Sequence, residues 1–261
     1  MIIGANHAEL HDDLVAGRRE FALRFSDELQ RTLKAGKLLT SSDASGDITR
    51  PLVYRLRSGW ACQFRKLTDG RKAIVDIYLP GDVIGLDAAL NTRPTENVAA
   101  LTTITVDAMI AEDGLYGLMM HRHTALYVTW LLGQRQRRAD RLLTAISSLD
   151  ARGRLAVMFF DFYHRLRTQK LIMSAMYNLP LTQSQIGSYL GLTVVHVSRV
   201  LALLRSQQIV NFEKHCVNIL DLAQLTRLAQ HRVGLPSAVV AAAAPNKAAA
   251  VVSYSERGGL L

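Results

Sequence analysis

Between Leu181 and Leu204 the chain reads LTQSQIGSYLGLTVVHVSRVLALL, and His196, Ser198 and Arg199 within it are side chains able to read base-pair edges. A guanidinium can give two hydrogen bonds to guanine O6 and N7 in a major groove. Thr182, Gln183, Ser184 and Thr193 place hydroxyls and amides at two expected helix starts, where such groups and unpaired backbone N–H donors hold phosphates. No acidic side chain stands between Val194 and Arg205 to repel a polyanion.

The local pattern says what must position these groups. Thr182 followed three residues later by Gln185 is a capping-box pattern. Ile186 and Leu190, four apart, share one helix face. Gly191 falls where a helix end needs a left-handed residue. Thr193 then caps a second helix beginning at Val194, whose inward stripe is Val197, Val200, Leu201 and Leu204. Val195, Arg199, Ala202 and Ser206 lie opposite, with His196 and Ser198 on the flanks. Two helices around a glycine turn form a helix-turn-helix. The same arrangement occurs in all-α domains that bind nothing. Three features weigh toward DNA: the acid-free outward face, a β-hairpin expected at Ile209–Phe212 and Cys216–Leu220 around a turn at Glu213–His215, and the charge balance.

That balance is basic, with a net charge of +9 and a pI of about 9.8, which favours a polyanionic partner. The excess is concentrated: residues 150–230 hold nine Lys/Arg against four Asp/Glu, and residues 121–148 five Arg against one Asp. At 261 residues, 49% hydrophobic and 20% charged, the composition suits one or two soluble domains. Two cysteines, Cys62 and Cys216, build no disulfide framework and are too few for a four-cysteine iron–sulfur cluster; inert thiols are the simpler reading of both. His121 and His123 alone make no metal site, and none is expected. The N-terminus lacks the pattern of a signal peptide, and no apolar run approaches about 20 residues. A cytoplasmic protein without membrane contact is expected.

In chain order, residues 1–17 read as a loose end. Phe21, Phe25, Leu29 and Leu33, four apart, predict a helix over Arg18–Leu33. Short apolar runs then alternate with turn signals: Val53–Leu56, Ala61–Leu67, Ala73–Leu79, Val83–Gly85 and Val98–Ile110, separated by Ser58-Gly59, Asp69-Gly70 and Pro80-Gly81-Asp82. Such spacing predicts an antiparallel sandwich or small barrel, and residues 18–120 read as one β domain with a ligand pocket as its functional option. Residues 121–149 predict one long helix with more apolar positions than one neighbour covers, hence a coiled-coil seam; its Arg135, Arg137 and Arg138 read as solvated. Residues 150–230 form the last domain: Asp150 caps a helix over Ala151–Arg167, a polar loop runs to Pro180, and Asp221 caps Leu222–Gln230 after the hairpin. Residues 231–261, rich in Ala and Val with Pro, Ser and Gly, read as a disordered tail.

β domain, long helix, helix-turn-helix and wing, in that order, resemble the Crp/Fnr family of bacterial transcription regulators over roughly residues 18–230. The strongest match is GLTVVHVSRVL, Gly191–Leu201, preceded by LTQSQIGSYL; a second is PGDVIG, Pro80–Gly85, similar to the glycine-bounded turn of the cyclic-nucleotide-binding jelly roll. The resemblance implies an α+β chain with an antiparallel β-roll sensor, a long dimerisation helix and a winged helix-turn-helix on double-stranded promoter DNA, working as a homodimer beside RNA polymerase. It implies base reading by Arg199, with Ser198 matching a DNA-contacting serine of the Fnr branch. Val195 stands where many members carry Glu, which changes the preferred base pairs; Val194 begins the same helix, and His196 is a substitute contact.

The effector pocket departs from the cyclic-AMP-binding pattern. Gly85 is followed by Leu86 with Asp87 one place late, and Thr95-Glu96-Asn97 has no arginine for a cyclic phosphate. Gly85, Leu86, Asp87, Glu96 and Asn97 are the pocket candidates, tight cAMP binding is not expected, and no cofactor is. The rival reading is a ligand-binding β-roll whose C-terminal helices serve only protein association. A cupin-type enzyme is disfavoured because no His occurs between His11 and His121.

Overall fold

The computed structural model describes residues 7–40, 51–90 and 97–230. The tail expected over 231–261 and Glu96 lie outside the described residues.

The chain opens with helix α1 (His7–Ala22) and strand β1 (Ser26–Leu33). This corrects two expectations: much of the supposed loose end is helix, and the helix expected over Arg18–Leu33 ends at Ala22. Residues four apart share a face at a period of 2 as well as near 3.6, so the spacing of Phe21, Phe25, Leu29 and Leu33 cannot separate helix from strand. Phe21 and Phe25 pack under α1, while Leu29 and Leu33 line the interior of the β-roll.

The roll continues through β2 (Leu38–Thr40), β3 (Leu52–Ser58), β4 (Ala61–Lys66), β5 (Lys72–Tyr78), β6 (Val83–Ile84), β7 (Asn97–Ala100) and β8 (Ile104–Ile110). Two antiparallel four-stranded sheets result, in orders β1-β8-β3-β6 and β2-β7-β4-β5. Their inner faces close on Leu56, Tyr78, Val98, Ile104 and Val106. The run Val98–Ile110, a single strand by sequence, is two: the chain bends after Ala100, where the Trp60 carbonyl accepts the Leu101 N–H. β5 is an edge strand.

After the short helix α2 (Leu86–Leu90), the last strand runs through a π-helical turn at Ala111–Tyr116 into α3 (Gly117–Met119) and α4 (Arg122–Ser148), 27 residues long. At about 1.5 Å per residue α4 spans roughly 40 Å. Its first turns lie against α1, where the Thr124 hydroxyl donates to Glu20 at 2.7 Å.

The remaining chain forms α5 (Ala151–Thr168), β9 (Met176–Asn178), α6 (Gln183–Leu190), α7 (Val194–Ser206), β10 (Val210–Glu213), β11 (Cys216–Ile219) and α8 (Leu222–Gln230). Asp150 caps α5 by accepting the Gly153 N–H at 2.8 Å, and Asp221 caps α8 by accepting the Gln224 N–H at 2.8 Å. The segment expected as a polar loop contains β9, the third strand of the sheet β10-β11-β9. Tyr177 pins it, buried, its hydroxyl donating to the Phe159 carbonyl at 2.9 Å. The core of this domain (Leu155, Phe159, Phe162, Ile186, Val197, Leu204) runs on without a break into Trp60, Phe64 and Ile74 of the roll. The two domains therefore share an apolar junction.

Candidate nucleic-acid interface

α6 and α7 turn through 103°, within the range of helix-turn-helix motifs. Each element of the turn has a local cause. The Thr182 hydroxyl accepts the Gln185 N–H at 3.2 Å while Gln185 Oε1 accepts the Thr182 N–H at 2.8 Å, a complete capping box. Gly191 ends α6 at φ 65°, a conformation that costs a side chain free energy. Gly187 lets the turn close: a Cβ there would lie 2.5 Å from the Leu192 carbonyl oxygen. Thr193 caps α7 by accepting the His196 N–H at 3.2 Å.

Burial then sorts the faces of α7. Val197 and Leu204 are buried and Val200 and Leu201 partly so. Val194, Val195, His196, Ser198 and Arg199 are all exposed, as are Thr182, Gln183, Ser184 and Thr193. All nine candidates are thus solvent-facing, three at the start of α6 and six from the cap through the first half of α7, and the helix dipoles point positive potential outward at the two N-terminal ends. The wing follows at once. Lys214 and His215 turn it at φ 48° and 61°, the left-handed pair of a tight hairpin. Arg205 on α7 pairs with Glu213, beside the turn of the wing, at 2.5 Å.

The effector candidates are placed differently. Gly85, at φ 90°, sits where a Cβ would meet the Leu52 carbonyl oxygen at 2.8 Å. Leu86 is buried in the core beneath α4, and Asn97 is buried on β7. Asp87 faces α4, where Arg135 reaches it at 2.9 Å. Arg135 also donates to Gln63 on β4 at 2.7 Å, and Arg138 lies 3.5 Å from Asp76 on β5. Arg135 and Arg138 are therefore not the solvated side chains expected; they bind the long helix to the roll. Nothing in the sequence signals this, because their carboxylate partners lie about 50 to 60 residues away on elements whose placement is set only by folding.

Two further residues carry roles that the sequence does not announce. Arg154 donates to the carbonyls of Leu149 at 2.9 Å and Leu190 at 3.3 Å, putting positive charge on two helix ends. Ser188 on α6 bonds both backbone groups of the β5 edge, accepting from Ile74 N–H at 3.0 Å and donating to the Lys72 carbonyl at 2.8 Å. Of the two thiols, Cys62 is buried, and burial pushes it up to about 11, so it stays protonated and unreactive at neutral pH. Among the described residues no single helix is long and apolar enough to cross a membrane.

Comparison with known proteins is consistent with this division. Residues 30–122 match the cyclic nucleotide-binding domain family, and residues 153–228 match the Crp-like helix-turn-helix domain family. The Fumarate and nitrate reduction regulatory protein of Yersinia pestis is 27% identical over 208 residues, covering 78% of this chain and 82% of that protein. The Transcriptional activator protein Anr of Pseudomonas protegens is 28% identical over 200 residues, covering 76% and 80%. In fold, FixK2 of Bradyrhizobium japonicum is similar with a TM-score of 0.66 at 23% identity, over 76% of this chain and 96% of that one.

Proposed function

The chain belongs to the Crp/Fnr family of transcription regulators and carries that family's helix-turn-helix DNA-binding domain, and on that premise we propose that it binds a palindromic promoter site as a homodimer. The observation that carries the reading is the outward face of α7, which holds Arg199, His196 and Ser198 in solvent on a helix that has no acidic residue. Arg199 reads a guanine in each half-site, His196 and Ser198 supply neighbouring contacts, and Val194 and Val195 offer apolar contact to a thymine methyl. Thr182, Gln183, Ser184 and Thr193 hold the phosphates.

The dimer forms along α4. Leu126, Thr129, Gly133, Gln136, Asp140 and Leu143 recur at alternating spacings of three and four, and all are exposed or half-exposed in the single chain. That is the 3.5-residue period of a two-helix seam, with Leu126 and Leu143 as its apolar ends and polar or small residues between them. Pairing α4 sets the two α7 helices to enter successive major grooves, about 34 Å apart. The protein acts in the cytoplasm beside RNA polymerase, and neither cyclic AMP nor an iron–sulfur cluster is its signal: Asp87 is committed to Arg135, and the two cysteines lie in different domains.

Selection of bound sites from random duplexes tests the reading. An enriched palindrome with half-sites one helical turn apart supports it, together with binding that weakens steeply as salt rises. Failure to enrich any sequence, with no shift of duplex DNA at low salt, would favour the rival in which the C-terminal helices serve protein association.

A further inference from the structure

Two extended residues separate the long helix from the DNA-binding domain. α4 ends at Ser148, and Leu149 (φ −111°, ψ 151°) and Asp150 (φ −68°, ψ 173°) carry the chain into α5. Backbone φ and ψ are soft torsions, so this short break is a hinge unless other contacts fix it. Its torsions set the direction in which the helix-turn-helix leaves α4.

Two side chains hold α6 across that break. Arg154, in the first turn of α5, donates through Nε to the Leu149 carbonyl at 2.9 Å and through Nη1 to the Leu190 carbonyl at 3.3 Å. One planar guanidinium thus joins the hinge itself to the last residue of α6. The helix-turn-helix turn is seated at the same place: a Cβ on Gly191 would lie 3.8 Å from that guanidinium and 3.9 Å from Ile146 of α4. Two residues earlier in α6, the Ser188 hydroxyl accepts the Ile74 N–H at 3.0 Å and donates to the Lys72 carbonyl at 2.8 Å. It fills a donor and an acceptor of the β5 edge, so α6 is fastened to the roll as well. Arg154 and Ser188 are both half-buried, apart from the exposed candidates at the starts of α6 and α7.

We propose that Arg154 and Ser188 set the half-site spacing that the protein accepts. The inference rests on the reading above, in which paired α4 helices present two α7 helices to a palindrome. About 10 base pairs fill one turn of roughly 34 Å, so one base pair more or fewer moves a half-site by about 3.4 Å and turns it by about 36°. A protomer follows that shift by changing the hinge torsions, which breaks the two ties. At the correct spacing they stay formed. Their free energy therefore separates right from wrong spacing, whereas the base contacts of α7 are the same in both. Arg154 and Ser188 are positioning residues that act through α6.

The test uses the full-length protein and duplexes carrying two selected half-sites at the selected spacing, at one base pair more and at one fewer. Three proteins are compared: wild type, Arg154→Met/Ser188→Ala, and Tyr177→Phe. The last loses a hydrogen bond inside the DNA-binding domain, to the Phe159 carbonyl, and keeps both ties. Wild type and Tyr177→Phe should bind the altered duplexes much more weakly than the selected one. In the double variant that ratio should shrink by about tenfold, the order set by losing hydrogen bonds from a charged group, while a base substitution within a half-site costs as much as before. Arg154→Met and Ser188→Ala alone should each give part of the change, which keeps the test open if the double variant fails to fold. Wild type gives a reading that needs no substitution: the Ile74 amide, which donates to Ser188, should exchange hydrogen faster on an altered duplex than on the selected one. An unchanged ratio in the variants, equal Ile74 protection on both duplexes, or a wild type indifferent to spacing overturns the inference and leaves DNA binding standing. A wild type that binds no duplex removes both.

Discussion

Arg165 on α5 donates to the Asp82 carboxylate of the β5–β6 turn at 2.5 Å, and the same carboxylate oxygen accepts the Leu79 N–H at 2.7 Å. One carboxylate therefore closes a turn in the sensor domain and holds the first helix of the DNA-binding domain. The Arg165 side chain is only 10% exposed, and it also donates to the Ile77 carbonyl at 3.1 Å. Removing one partner of such a pair leaves a buried charge and costs about 3–5 kcal/mol, whereas replacing both with apolar groups is often near neutral. Asp82→Ala is expected to lose stability on that scale in urea unfolding and to separate the transitions of the two domains. Asp82→Ala/Arg165→Met should recover most of the loss. Equal stability of Asp82→Ala and wild type would show that the pair does not hold the junction.

A second ion cluster makes a pH prediction. Asp107 on β8 is buried, which by itself raises its pKa, but hydrogen bonds from Arg55 at 2.7 Å, Gln30 at 3.2 Å and Arg57 prevail, and the carboxyl titrates below its ordinary value. A carboxyl depressed in the folded state stabilises the fold fully above its unfolded pKa of about 3.9, and that contribution is lost as pH falls through the lower folded value. Asp107→Asn should lower the melting temperature at pH 7 and flatten its dependence on pH below about 4. An acid limb as steep as the wild type's would place the acid sensitivity elsewhere.

How much is legible in the sequence follows the range of the interactions. The capping box at Thr182 and Gln185, the left-handed Gly191, and the caps at Asp150 and Asp221 are decided within four residues, and the structure has each where it is expected. The ambiguity over Phe21–Leu33 is a matter of period, since a spacing of four fits both regular structures. β9 is invisible locally because a three-residue strand beside Pro180 exists only by pairing with β11, some forty residues on. Arg135, Arg138 and Ser188 owe their roles to sheet register, which no local pattern contains. The outward face of α7 is the easiest part of the site to see, because helical period and burial sort it without help from the rest of the chain.

The seam proposed on α4 predicts a change of assembly. Leu143 is 66% exposed in the single chain and sits one turn from Asp140 on the seam. Burying a leucine is worth about 1.5–3 kcal/mol, and a glutamate there would face a like charge from the paired helix. Leu143→Glu should shift the monomer–dimer equilibrium toward monomer by at least tenfold in sedimentation while leaving the helical content unchanged. It should also lose cooperative binding to a two-half-site duplex. A variant as dimeric as the parent would move the seam off this face.

The pocket predicts a negative result with cyclic AMP. Asp87 and Arg135 are paired at 2.9 Å where the roll meets α4, and the Leu86 side chain is core. A cyclic phosphate placed beside this pair would have to compete with a carboxylate already holding the guanidinium. Titration calorimetry with cAMP should give no saturable heat, and Arg135→Ala should not create binding. A micromolar dissociation constant for the wild type would refute the assignment.

Arg199 tests the base-reading role most directly. Its side chain is exposed in the first half of α7, less than two turns from the Thr193 cap, and no acid on that helix competes for it. If it makes a bidentate contact with guanine, Arg199→Ala costs about 1–3 kcal/mol on the selected duplex and relaxes preference at one position in each half-site. Arg199→Lys separates charge from geometry. It keeps the cation, so binding to non-specific DNA and its salt slope should match wild type, but it loses the planar fork that fits O6 and N7 together. Discrimination at that one base pair should therefore fall in the lysine variant while the rest of the site is read as before. If Arg199→Ala weakens all sequences equally and lowers the salt slope by about one unit per protomer, the residue holds a phosphate, and base reading passes to His196 and Ser198.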